Sequence, residues 1–158
     1  MMEWRKIGCA IDFSKASRRA MHDASELARR QDADLELVHV HKVPAPIGDA
    51  LVTPADLGSE SLIEIEKRMT TWREEAARLV GRAVRSIVVA GEPAAEIVRL
   101  AHEHWFDLIV LGTRGRTGLK RFFLGSVAER VVREAPCAVL VVRREPLSFE
   151  SRARAETA

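Results

Sequence analysis

The chain has 158 residues, 47% hydrophobic and 30% charged, with a formal net charge of +2. These values describe one globular domain large enough to bury a core, with no global field to attract nucleic acid or an anionic membrane. Cys9 and Cys137 lack metal or redox spacing, no apolar run spans a bilayer, and MMEWRKIGCAID lacks a signal-peptide core, so a reduced, cytoplasmic protein is expected.

Lys6 to Ile11 (KIGCAI) is a short apolar run that reads as the first and central strand. Ser14 follows as a helix N-cap. Ala16, Ala20, Met21, Ala24, Leu27 and Ala28 then recur at helical spacing and predict an amphipathic helix to about Arg30. Gln31 to Asp34 turns the chain into a second strand, Leu35 to Val43. From Lys42 to Gly58 three of the 6 prolines and two glycines occur without periodicity. So long a connection in a small domain marks function or mobility. Leu62, Ile65, Met69, Trp72, Ala76 and Leu79 alternate steps of three and four and predict the second helix. Val84 to Ala90 is the third strand, and Gly91-Glu92-Pro93 ends it. Pro93 suits the first turn of a third helix, whose inward face is Ala94, Ile97, Val98 and Ala101. Asp107 leads into a fourth strand, Leu108 to Leu111. Ser126 to about Glu134 is the fourth helix, and Cys137 to Val142 the fifth strand.

Strands alternating with helices predict an α/β fold: a single doubly wound domain, its five-stranded parallel sheet covered by helices on both faces. Ligands in such Rossmann-like sheets bind outside the carboxyl ends of the strands, where strand order reverses. One stretch suits that place, Leu108 to Glu129 (LIVLGTRGRTGLKRFFLGSVAE). It holds four of the 9 glycines, at Gly112, Gly115, Gly118 and Gly125. Between strand and helix lie Arg114, Arg116, Lys120 and Arg121, with no acidic residue, and Ser126-Val127-Ala128-Glu129 reads as a capping box. Free amides, a helix dipole and missing Cβ atoms together make an anion site, and a polyphosphate is the expected ligand. The stretch is not a P-loop, and Ile7 to Asp12 lacks the dinucleotide fingerprint.

Gly112-x2-Gly115-x9-Gly125-Ser126, with Asp12-Phe13-Ser14 before it and Ala135-Pro136-Cys137 after it, resembles the signature of the universal stress protein family in its ATP-binding branch. The resemblance covers Lys6 to about Arg144. It implies the strand order 3-2-1-4-5 of the adenine nucleotide alpha hydrolase-like folds. It also implies a family domain over residues 1–146 followed by a charged tail, 147–158. The implied ligand is ATP with Mg2+ or Mn2+. Its site would comprise Ala10, Ile11 and Asp12 on strand one, Val40 at the adenine edge, and Leu111, Gly112, Arg114, Gly115, Gly125, Ser126, Val127 and Ala128. The Ser126 hydroxyl has two competing jobs, capping the helix and meeting phosphate. Ala128 stands where relatives often have a hydroxyl, which removes one phosphate contact. A homodimer through Cys137–Val142 is implied as well, and the uninterrupted apolar edge of that strand invites pairing.

Other chemistries find less support. Aromatic content is 5% with no tyrosine, so the basic loop lacks stacking platforms for nucleic acid. Arg114 is the cation placed to reach phosphate, and Lys120 and Arg121 raise the local potential. His39 and His41 share one strand face while His102 and His104 sit at a helix end, with no spacing that makes a metal site. Cys9 and Cys137 are read as buried thiols on strands that a third strand separates. No general base or carboxylate pair accompanies the loop, so dedicated catalysis is not expected. The expected function is a nucleotide-dependent sensor or regulatory module in stress response, acting on an unidentified protein partner. The alternatives are a slow ATPase or self-phosphorylating enzyme using Asp12, and a ligand-free dimeric scaffold.

Overall fold

Five apolar runs too short to be helices form strands: β1 (Lys6–Ile11), β2 (Asp34–His41), β3 (Arg85–Ala90), β4 (Leu108–Gly112) and β5 (Ala138–Val142). Between them lie α1 (Lys15–Gln31), α2 (Leu62–Val80), α3 (Pro93–Glu103) and α4 (Ser126–Glu134). The structure, a computed structural model, describes residues 3–42, 61–113 and 124–143. The proline-rich connection from Val43 onward, the loop residues Arg114 to Phe123 and the charged tail lie outside the described residues.

All strand pairs are parallel, in the order β3-β2-β1-β4-β5 that the sequence led us to expect. Side chains alternate between two cores. On one face α1 and α2 pack Met21, Ala24, Met69 and Trp72 against Ile7, Cys9, Ile11, Leu35 and Leu37. On the other, α3 and α4 bring Ile97, Leu100, Ala128 and Val131 onto Val38, Ile109 and Leu111. The central strands β1 and β4 are buried on both sides, which is why they read as unbroken apolar runs.

Helix ends follow local chemistry. Ser14 Oγ accepts the Ser17 amide at 3.1 Å and Ser61 Oγ the Glu64 amide at 3.2 Å, while the Glu92 carboxylate caps α3 ahead of Pro93. The fourth helix has the expected bounds but not the expected cap. Gly125, not Ser126, is its N-cap, and no side chain caps it. The Gly125 amide donates to Thr113 O at 2.8 Å and its carbonyl accepts the Glu129 amide at 2.9 Å, so Gly125 takes the cap position and the capping box at Ser126 does not form. Smaller shifts have similar causes. In α3 the inward position is Leu100 rather than Val98, and α2 buries Val80 while Leu79 stays 40% exposed. Cys137 precedes β5 and is half-buried, whereas Cys9 is fully buried; both thiols are free.

Candidate functional site

The strand order reverses between β1 and β4, whose register pairs Ile7 with Leu108 and Cys9 with Val110. Their carboxyl ends therefore lie side by side. Ala10 and Ile11 end β1 and Asp12 follows it, Leu111 and Gly112 end β4, and Val40 stands on β2 one residue past the last pair with β1, Ile11 with His39. Thr113 extends β4 by donating its amide to Val142 O at 2.9 Å, and its carbonyl takes the Gly125 amide. That second bond draws the start of α4 to the same end of the sheet. Of the residues singled out in the sequence, Ala10, Ile11, Asp12, Val40, Leu111, Gly112, Gly125, Ser126, Val127 and Ala128 are thus gathered together. Arg114 and Gly115 lie outside the described residues.

The two ends of this crevice differ in what they offer. At α4 the amides of Ser126, Val127 and Ala128 precede the first intrahelical bond and have no acceptor among the described residues. They present fixed dipoles to an anion. The Ser126 hydroxyl is exposed and freed from capping, while the Ala128 side chain is buried at 3% exposure and only its amide is available. At β1, Asp12 Oδ1 accepts the Ser14 amide at 2.9 Å, and the Asp12 amide donates to Ser17 Oγ at 3.3 Å. Its Oδ2 has no partner among the described residues. One oxygen ties the turn and the other remains for a ligand.

Alternation along β1 settles the orientation of its end. Ala10 packs in the core under α3 and α4, as do Val40 and Val127, whereas Ile11 packs in the core under α1 and α2. Ile11 is therefore a backbone member of the site, its side chain facing away. Gly112 also has a reason in the fold itself. A Cβ there would stand 2.8 Å from the Ala16 carbonyl carbon, so this glycine lets α1 close onto the end of β4.

The other candidate groups do not converge here. No cluster of three or more His, Cys, Asp or Glu side chains suited to a metal exists among the described residues. His39 is buried, its Nδ1 2.8 Å from Ile11 O; a carbonyl only accepts, so that nitrogen carries the proton. His104 Nδ1 meets Glu36 Oε1 at 3.0 Å at the far end of the sheet. Burial and the nearby Asp23 push the Cys9 thiol well up, and burial with Asp107 does the same to Cys137, so neither offers a thiolate. Two features near the strand ends were not anticipated from sequence: the Thr113 carbonyl anchors α4, and the Phe13 backbone adopts a left-handed conformation. A signal for Phe13 exists, because only two residues, Asp12 and Phe13, lie between the strand end at Ile11 and the helix cap at Ser14.

No helix among the described residues is long and apolar enough to cross a membrane. Residues 3–143 match the universal stress protein family. The universal stress protein MJ0531 of Methanocaldococcus jannaschii is 37% identical over 141 residues, covering 89% of this chain and 83% of that protein. Among solved structures, the universal stress protein UspA from Lactobacillus plantarum superposes with a TM-score of 0.76 at 28% identity, covering 90% of this chain and all of that one. A universal stress protein in complex with cAMP (TM-score 0.67, 25% identity, 91% of this chain and 100% of that one) is also similar. So is the Archaeoglobus fulgidus protein in complex with dAMP (0.62, 25%, 89% and 99%). With a family match across nearly its whole length and a relative this close, the chain belongs to the universal stress protein family.

Proposed function

We propose that the protein is a nucleotide-dependent sensor or regulatory module that binds ATP, with Mg2+ or Mn2+, across the carboxyl ends of β1, β2 and β4. The observation that carries this reading is the start of α4: three amides without acceptor or side-chain cap among the described residues, at the end of the sheet where strand order reverses. A triphosphate suits that place because its charge meets dipoles already oriented. Asp12 Oδ2 is then available to a ribose hydroxyl or a metal-bound water, and Val40 to the adenine edge. The relatives solved with cAMP and dAMP support an adenine nucleotide over a simple anion. The divalent ion would be held chiefly by phosphate oxygens, with Asp12 as this chain's own contribution. ATP would act by shifting populations toward a surface that a regulatory protein partner reads.

The test is calorimetric titration of nucleotide-stripped protein with ATP, with and without magnesium. Micromolar or tighter binding without phosphate release over hours supports the switch. Phosphate release lost in Asp12→Ala at unchanged affinity would instead make the protein an ATPase. Absence of binding leaves the scaffold reading. Bound nucleotide should also raise the thermal midpoint by mass action.

The same reading includes a homodimer through the edge strand β5. Leu140 is 38% exposed there and lies beside Leu27 of α1. Leu140→Arg should yield monomers by light scattering, and a persistent dimer would place the interface elsewhere.

A further inference from the structure

Phe13 is the one residue of the β1–α1 junction without a part in the site as described. Its φ is 62°, in the left-handed region where a bulky side chain is strained. Asp32 and Trp105 share that sign, at 54° and 56°, but Asp32 directly follows α1 and Trp105 follows the C-cap residue of α3, His104. There a left-handed residue closes the helix: Ala33 N donates to Ala28 O at 2.9 Å, and Phe106 N to Ala101 O at 3.0 Å. Phe13 ends no helix. It joins a strand to an N-cap, so helix termination does not account for its conformation.

Three side chains hold the Phe13 ring. The His39 ring lies 4.7 Å away, centroid to centroid, and Trp72 meets it edge-on at 5.5 Å. The Arg68 guanidinium carbon sits 4.0 Å over its centroid. His39 ties this stack back to the strand end through its 2.8 Å bond to Ile11 O. Beyond the turn, the Ser14 amide fastens Asp12 Oδ1 at 2.9 Å. Asp12 is therefore held from both sides. The stack itself packs with the α1 and α2 core, on the sheet face away from Ala10 and Val40.

We propose that Phe13 is a positioning residue for the nucleotide site: its ring, held by His39, Trp72 and Arg68, enforces the left-handed turn that presents Asp12 to the ligand. The inference rests on the nucleotide reading above. Without the ring, its contacts with His39, Trp72 and Arg68 no longer oppose relaxation of the turn, and Asp12 moves with it. Because Arg68 and Trp72 belong to α2, the seating of that helix is coupled to nucleotide affinity from the opposite side of the sheet.

The experiment titrates the unaltered protein and four variants with magnesium-ATP and records the thermal midpoint of each without nucleotide. Phe13→Leu should weaken binding by about tenfold, the scale of one strained backbone position. Phe13→Gly relieves the steric strain, so the nucleotide-free midpoint should fall less than in Phe13→Leu, while affinity falls at least as far. Phe13→Tyr keeps the ring and should bind within about threefold of the unaltered protein, whereas Arg68→Met, remote from the ligand, should lose about threefold. Affinities that simply track the midpoints would reduce Phe13 to a packing residue and overturn the proposal. So would unchanged affinity in Phe13→Leu and Phe13→Gly when the unaltered protein binds, an outcome that leaves the nucleotide reading standing. An unaltered protein that binds no nucleotide removes both.

Discussion

The two ends of the sheet are built from the same strands and treat their polar groups in opposite ways. At the amino end, Asp107 Oδ2 accepts the amides of Arg5 and Lys6, each at 2.9 Å, and Arg5 O and Lys6 O accept the amides of Asp34 and Asp107. Glu36, buried at 5% exposure, is matched by His104 at 3.0 Å and approached by Arg85 at 4.0 Å. At the carboxyl end, Asp12 keeps one oxygen without a partner among the described residues, α4 starts without a side-chain cap, and Phe13 is strained. Polar groups left open beside the reversal of strand order are available to a ligand in a way that the paired groups of the amino end are not. The amino end closes the domain, and the carboxyl end is the one we propose for the ligand.

The largest effects that would sharpen or break this contrast come from a pair of glycines. A Cβ at Gly8 would lie 2.4 Å from the Phe106 ring, and one at Gly112 2.8 Å from the Ala16 backbone. Gly8→Ala and Gly112→Ala should each lower unfolding free energy by about 2 kcal/mol in denaturant titration, the usual cost of overpacking. Only Gly112→Ala should also weaken nucleotide binding; equal affinity losses would mean that the ends are not independent. Next comes a pair of aspartates. Asp12→Ala should cost at least tenfold in ATP affinity and less than about 1 kcal/mol in stability, because it removes a single neutral-donor bond at the turn. Asp107→Ala should cost about 1 kcal/mol, two exposed amides turning to water, and leave affinity alone. If Asp107→Ala impaired binding and Asp12→Ala did not, the assignment of ends would be reversed.

The smallest effect concerns the seam between α1 and α2. Partial burial raises the Glu75 carboxyl, but bonds from His22 at 2.8 Å and Arg18 at 2.6 Å outweigh it and hold the group below its usual value of 4.5. A carboxyl depressed in the folded state stabilises above its unfolded pKa, and that contribution is lost as pH falls. Stability should therefore decline as pH drops below about 4.5, and the decline should be shallower in Glu75→Gln. An identical acid profile in the variant would assign the decline to other carboxylates.

Much of this architecture was legible in the chain itself. Periodicity depends only on neighbouring residues, so KIGCAI became β1 and the spacing from Leu62 to Ala76 became α2. Pro93 began α3 as its fixed φ predicts, and alternating strand and helix allowed few sheet orders. The glycine spacing also marked which loop and helix to watch, because backbone approach to an anion needs those residue types. What tertiary structure decided were matters of contact between distant segments. The bond between Gly125 and Thr113 overruled the local capping box at Ser126, since a cap depends on where the preceding chain arrives. Gly112 was marked in the chain by the glycine spacing, and only the fold shows that Ala16 of α1 also excludes its side chain. Phe13 stood out in the chain only as the middle of Asp12-Phe13-Ser14. Only the meeting of His39 from β2 with Arg68 and Trp72 from α2 holds it in a conformation its own chemistry disfavours, and no local pattern encodes that meeting.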